Sequence, residues 1–338
     1  MSKNIIKKKD IIKALLFSSI GIAVFLYLTH RIGFDEIKRI VKDLNFVLYF
    51  VAIIIYLLTF TLRAFRWKLI FKPVSKSPNF KESFLCIYSG YLLNFAFPAR
   101  LGDFFRAFIT KNRLGIKFRI GISTIIWERF FDLLAFAVVL SFLFLFSGSF
   151  IVAGKYLYFT YALLSMVFLS VVLLIFSKKF WSYLSKDEFS EKISYVVPIS
   201  RFGEGVSDTM MEILKSREII LVTIFFSLII WGLDALRVFI VCKSLASFEF
   251  WMKMAIASLL AGMIMSSTFN PLGTGELSGM ILLSVLMIVP PDIAAAITIV
   301  DRIMVVGLTI SLGIVSTLFL LPDIRDFGFL HDLKERHN

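Results

Sequence analysis

The stretch Asn94 to Arg106 reads NFAFPARLGDFFR. An apolar run meets Pro98, and Arg100, Asp103 and Arg106 follow at once with Gly102 among them. Proline removes a helical donor and glycine loosens the backbone, so a helix is expected to break here. A charge at the bilayer centre costs about 2.5–3.5 kcal/mol on insertion scales, so such residues face protein or a wet cavity. Broken backbone at that depth is tolerated only where it is buried in protein or lines a cavity. The reading is a helix–break–helix hairpin that presents cations inside a membrane protein. A short loop between two ordinary spans is the competing reading.

The surrounding sequence is suited to lipid. The chain has 338 residues, 58% of them hydrophobic, with 38 Phe, and its mean hydropathy is +0.85. Soluble domains are roughly 45–50% apolar. The apolar runs are too long, and alternate too little, for barrel strands, so the fold class is all-α, a polytopic helical membrane protein. The formal net charge is +13. Lys and Arg gather at the ends of apolar runs, which indicates cytoplasmic loops and anionic headgroups and no nucleic-acid partner. Cys86 and Cys242 lie in apolar stretches and make no disulfide framework. His30, His331 and His337 lie outside the apolar runs, so neither a metal site nor a cofactor is expected. No cleavable signal peptide is read at the N-terminus.

About six full spans are expected: Ile11–Thr29, Phe46 to about Leu62, Ile120–Phe146, Leu157–Phe176, Ile219–Val241 and Ile293–Leu321. Lys7, Lys8 and Lys9 place the N-terminus in the cytoplasm of a multi-pass cell-membrane protein, and the tail from Arg325 stays on that side. Phe34–Leu44 reads either as a surface amphipathic helix or as a solvated linker helix. The unit 82–110 has Lys and Arg at both ends, so it is expected to enter and leave by the cytoplasmic face as a re-entrant hairpin. A second interrupted unit, 252–289, turns at Asn270, Pro271, Gly273, Gly275 and Glu276 and is expected to dip in from outside. Ser177–Glu218 reads as a cytoplasmic amphipathic connection, so the chain 1–338 forms a single domain. Paired interrupted segments in opposed halves point to an inverted repeat with a site near the midplane.

Charges recur at similar depth. Arg63 and Arg66 share a helix face at i,i+3, with Trp67 beside them as an interfacial anchor. They read either as snorkelling anchors or as ligands for a lipid phosphate. Glu128 and Asp132 lie i,i+4, and Glu128 sits on the order of 15 Å into its span. Arg129 lies between them. Asp234 and Arg237 fall i,i+3, and Asp301 and Arg302 lie about ten residues into the last span. The second arm of each hairpin begins at the break, so its helix N-terminus points inward and suits an anion. The expected phosphate-binding set is Arg100, Arg106, Arg63, Arg66, Asn94, Gly273 and Gly275, because arginine forks match phosphate and glycine lets backbone approach. Asp103, Glu128, Asp132, Glu276 and Asp301 would balance charge or carry protons. Arg129, Asp234, Arg237 and Arg302 are expected in structural ion pairs. Pro98, Gly102 and Pro271 are the expected breaks. The bland alternative is a buried polar network that only fixes helix packing.

At these residues the chain resembles the lysylphosphatidylglycerol synthase transmembrane-region family, also called flippase-like. The resemblance rests on Arg63–Arg66–Trp67, on Asn94 with Pro98-x-Arg100-x-Gly102-Asp103-x-x-Arg106, on Glu128-Arg129-x-x-Asp132, on the tip from Pro271 to Glu276, and on Asp301-Arg302. The family usually has Glu where Asp103 stands, and it usually spaces the tip Glu further from the last Gly. The resemblance implies a lipid-translocating module that moves an anionic lipid, either a phospholipid or a polyprenyl phosphate. Bifunctional relatives carry a soluble aminoacyl-transferase domain, which is not expected in this chain, and neither is lysyl transfer. Other relatives are described as glycosyltransferases on polyprenyl-phosphate sugars, so a membrane glycosyltransferase is the alternative reading. The partners expected are the bilayer and the anionic lipid, with envelope-biosynthesis proteins or a homo-oligomer left open.

Overall fold

The computed structural model describes residues 42, 44–96, 100–146, 165, 196–245 and 291–320. Among them every regular element is helical: α1 Phe46–Ile70, α2 Phe80–Ala96, α3 Leu101–Leu114, α4 Phe118–Phe146, α5 Val196–Lys215, α6 Arg217–Leu245 and α7 Pro291–Leu320. Three stretches are long and apolar enough to cross a bilayer: Phe46–Ile70, Arg217–Leu245 and Ile297–Leu320. At 1.5 Å per residue, the 29 residues of α4 also cover about 43 Å.

Local chemistry sets the helix ends. Asn45 caps α1 by accepting from the N–H groups of Val47 and Leu48 at 3.1 and 3.2 Å. Asn79 and Glu82 form a reciprocal capping box ahead of α2, at 2.8 and 2.9 Å. Gly115 ends α3 in the left-handed region at φ 66°, its N–H on the Lys111 carbonyl, while Ile116 N–H reaches back to Thr110. That is a Schellman closure, and glycine adopts it without a Cβ penalty.

The break expected within Asn94–Arg106 is present: α2 stops at Ala96, α3 starts at Leu101, and Arg100 between them is left-handed at φ 55°. The two arms pack with almost no space between their backbones. A Cβ on Gly102 would overlap the Gly90 carbonyl, and one on Gly90 would lie 2.6 Å from Arg106 Cδ. Glycine is required at both positions by this approach. Neighbouring helices grip the hairpin in the same way. Gly121 of α4 sits against Ala107 of α3, and Gly313 of α7 sits against Leu92 and the Tyr88 carbonyl of α2.

α1 is central. Its residues Ala52, Tyr56, Phe60, Ala64 and Trp67 are buried with Cys86, Ile87 and Tyr88 of α2, Val241 of α6, and Val300 and Met304 of α7. α1 and α6 run antiparallel, since Asn45 N–H donates to the Ser244 carbonyl at one end and Arg66 meets Ser227 nearer the other. α5 lies along α4: Trp127 Nε1 donates to the Met210 carbonyl at 3.1 Å, over a cluster of Ile70, Phe131 and Ile213.

Two boundaries differ from the sequence reading. The first described span does not end near Leu62 but continues to Ile70. Its last two turns carry Arg63, Arg66 and Trp67 inside the bundle, where carboxylates on other helices receive the arginines. Trp67 is fully buried, so it is not an interfacial anchor. Within the stretch read as a polar connection, Val196–Lys215 is a helix packed on α4, and α6 already begins at Arg217. The span Ile11–Thr29, Pro98 and the whole unit 252–289 with Pro271, Gly273, Gly275 and Glu276 lie outside the described residues.

Candidate functional site

The interior of this bundle is charged and its perimeter is apolar. Arg66, Arg106 and Glu128 have no exposure, while Phe46, Phe225 and Phe319 are each 60% exposed or more. Water would favour the opposite arrangement; lipid favours this one.

The charges form one connected network among the described residues. Arg66 of α1 is its floor. It donates to Asp132 at 2.6 Å, to Ser227 at 2.6 Å and to Glu128 at 3.1 Å. Arg106 of α3 donates to the other oxygen of Glu128 at 2.6 Å and lies 4.3 Å above the Trp67 ring, a cation–π contact. Glu128 is thus held between two arginines from different helices. One turn further along α4, Asp132 also accepts from Trp231 Nε1 at 3.3 Å.

Asp103 collects three arginines. Arg100 reaches it at 3.2 Å, Arg129 at 3.3 Å and Arg106 at 3.8 Å, and Asn94 donates to it at 3.3 Å. This side of the network is open: the side chains of Arg100 and Arg129 are 25% and 26% exposed. Arg63 bridges towards α6, donating to Asp234 at 2.7 Å and to the Tyr91 hydroxyl at 3.3 Å. Arg237 continues the chain, 3.8 Å from Asp234 and bonded to Asp301 of α7.

Among the described residues Arg63, Arg66, Arg100, Arg106, Arg129 and Arg237 meet Asp103, Glu128, Asp132, Asp234 and Asp301. Several donor atoms remain over. Arg106 Nε and Nη1 and Arg129 Nε are buried without a hydrogen-bond partner among the described residues. The arrangement can therefore offer guanidinium groups to an anion on its open side while its carboxylates keep the empty site nearly neutral.

The structure brings together most of the residues singled out from the sequence: Arg63, Arg66, Asn94, Arg100, Asp103, Arg106, Glu128, Arg129, Asp132, Asp234, Arg237 and Asp301. Arg302 is buried on α7, next to Asp301 in the chain. Sequence reasoning missed Ser227, Trp231 and Tyr91. Ser227 and Trp231 had a signal: with Asp234 and Arg237 they recur at i, i+4, i+7 and i+10, one stripe of α6. Tyr91 had none, because a tyrosine within an apolar helix is ordinarily core.

An apolar helical shell closed around a charged interior defines a polytopic integral membrane protein with an intramembrane polar site. The chain belongs to the family described as Lysylphosphatidylglycerol synthase TM region, whose model matches residues 11–313. It is similar to a UPF0104 membrane protein of Methanocaldococcus jannaschii, 27% identical over 94% of this chain and 98% of that protein. A UPF0104 membrane protein of Methanothermobacter thermautotrophicus is 23% identical over 68% of this chain and 70% of its own length. The glycosyltransferase AglD of Haloferax volcanii is 30% identical over 135 residues, 39% of this chain and 21% of that protein.

Proposed function

We propose that the protein moves an anionic lipid across the bilayer, with the phosphate of the headgroup held by the arginine network while the tail stays in lipid. The observation that carries this reading is the network itself, arginines and carboxylates of several helices joined inside an apolar shell among the described residues, with its accessible side formed by Arg100 and Arg129. A purely structural network needs no open side.

Arg100 and Arg106 bind the phosphate in this reading, with Arg63, Arg66 and Asn94 behind them and Arg129 at the same opening. α3 adds its N-terminus, which carries about half a positive charge. Asp103, Glu128, Asp132 and Asp301 hold the arginines apart when no lipid is present and are available to couple transport to protons. The hairpin α2–α3 dips from the cytoplasmic face, and the segment 252–289, with Gly273, Gly275 and Glu276 at its tip, dips from the other. The two breaks gate the site from opposite sides, giving six spans with two opposed re-entrant hairpins. The N- and C-termini and the basic helix ends lie in the cytoplasm. The substrate is a phospholipid, a polyprenyl phosphate or a lipid-linked sugar.

The test is headgroup movement in liposomes containing purified protein. Arg100→Ala abolishes movement and leaves expression and folding intact. Unchanged movement in that variant rejects the assigned role. A second reading, a membrane glycosyltransferase using a polyprenyl-phosphate sugar with Asp103 or Glu128 as general base, is favoured by the partial match to AglD. It requires sugar release from such a donor by the purified protein, and no turnover across a donor panel counts against it.

A further inference from the structure

Arg106 is fixed by neighbours on α1, α2 and α4 at once. Its stem leaves α3 over Gly90 of α2, where an added Cβ would lie 2.6 Å from Arg106 Cδ and 2.7 Å from Cγ. Its Nη2 donates to Glu128 of α4 at 2.6 Å. Its guanidinium carbon sits over the ring of Trp67 of α1, 4.3 Å from the centroid. Both side chains are fully buried. A ring face carries negative charge density, and its attraction for a cation is greatest where water is excluded. A buried tryptophan ordinarily fills apolar space, and the edge contact of Trp67 with Phe71 at 5.2 Å is of that kind. The indole N–H has no acceptor among the described residues, so no hydrogen bond orients the ring. The face turned to Arg106 is its one contact with the charged network among those described. Arg106 Nη1 lies 3.8 Å from Asp103, towards the side where Arg100 and Arg129 are accessible.

We infer that Trp67 is a positioning residue for the lipid-phosphate site: its ring holds the Arg106 guanidinium so that the donors not taken by Glu128 face the phosphate. This inference rests on the reading of the network as a lipid-phosphate site. Trp67 touches no headgroup and acts through Arg106. The gain is one of preorganisation. An arginine fixed only on binding loses its rotamer freedom at that moment, which weakens retention. Held against the ring beforehand, it loses little more when the headgroup arrives. Without the ring's attraction, the guanidinium turns its remaining donors towards Glu128 and Asp103, the carboxylates already beside it. A ring of the same size but poorer in π density fills the core equally well and holds the cation less.

The test replaces Trp67 in the full chain, by site-specific suppression, with mono-, di- and trifluorotryptophan. Fluorine withdraws density from the ring face with little change in ring size. Each protein is placed in nanodiscs and retained lipid is counted by native mass spectrometry. Phosphatidylglycerol and polyprenyl phosphate are offered in separate arms, and diacylglycerol, which has no phosphate, is the reference. Retention of the phosphate lipid falls stepwise along the series, to about a tenth or less with trifluorotryptophan, while diacylglycerol retention stays at the wild-type level. The arm in which the fall occurs names the lipid class. Trp67→Leu, which removes the ring, loses at least as much; if it fails to fold, the fluorinated series decides alone. Phosphate-lipid retention that is constant along the series, or that falls in step with diacylglycerol, overturns the role of Trp67 and leaves the lipid-phosphate reading standing. If the wild-type protein retains neither phosphate lipid above diacylglycerol, that reading falls and the role of Trp67 falls with it.

Discussion

Arg66 makes three hydrogen bonds with no access to solvent, to Asp132, Ser227 and Glu128. Removing it strands two carboxylates, and breaking a buried pair costs about 3–5 kcal/mol. Arg66→Leu is therefore expected to lower stability by that amount, read from denaturant or thermal melting in detergent. Arg66→Leu combined with Glu128→Leu is expected to cost clearly less than the two single changes summed, because the partners are coupled. Arg100 obeys different physics. It is left-handed at φ 55°, a conformation that costs an ordinary L-residue about 1–2 kcal/mol. Arg100→Gly is expected to melt at or above the wild-type temperature while losing retention of anionic lipid in a pull-down with labelled phosphatidylglycerol. Residues such as these were legible because a charge inside lipid-grade sequence has few explanations. Their partners were less so: Ser227 and Trp231 matter only once α6 is wound and its stripe is turned towards Arg66 and Asp132. The burial of Trp67 was not legible because the apolar run ends five residues before it, and the carboxylates of α4 and α6 explain why the helix continues inward.

At the scale of the element, the hairpin α2–α3 depends on two glycines that let its arms approach. A methyl at Gly102 has no room against the Gly90 carbonyl, whereas Gly232 and Gly307 have nothing within 4 Å of an added Cβ. Gly102→Ala is accordingly expected to separate the arms and to destabilise by about 1–3 kcal/mol, the usual cost of overpacking. Gly232→Ala and Gly307→Ala should melt as wild type or up to about 1 kcal/mol better, since alanine is the stronger helix former. The melting temperatures of the three variants, taken side by side, check the contrast. Pro98 and Gly102 announced the break in the sequence, and the Gly–Asp–x–x–Arg spacing placed its charges on one face of α3. Nothing in the sequence announced Gly90 as the opposing surface, because close backbone approach depends on how Gly102, further along the chain, folds back against it and not on local pattern. The partner of α5 was hidden for a related reason: the stretch reads as an amphipathic cytoplasmic connection, and only α4, with Trp127 and Phe131, shows what its apolar face covers.

For the whole molecule, the exposed lysines sort to two ends. Lys76 and Lys117 lie beyond the C-terminal end of α1 and the N-terminal end of α4, and Lys243 lies at the far end of α6. If the basic end faces the cytoplasm, single cysteines at Lys76 and Lys117 react with a membrane-impermeant maleimide only from that side, and one at Lys243 only from outside. The native Cys86 and Cys242 are buried and should stay silent. The opposite pattern reverses the assigned orientation. Composition made the membrane class plain at this scale, since apolar content is a global property. Which helices touch was not legible, because it is set by pairings between residues far apart in the chain.

Those distant pairings bear on how the protein is made. Arg63 and the carboxylate of Asp234 are separated by 171 positions. At ordinary translation speeds of about 5–20 residues per second, the arginine leaves the ribosome roughly 10–30 s before its counterion exists. Arg66 waits only for Glu128 and Asp132, 62 and 66 positions on, whereas Arg63 lacks its α6 partner through the whole interval, in a hydrocarbon phase that excludes charge. Its final seating must therefore come late in biogenesis, after the fourth and sixth helices have arrived.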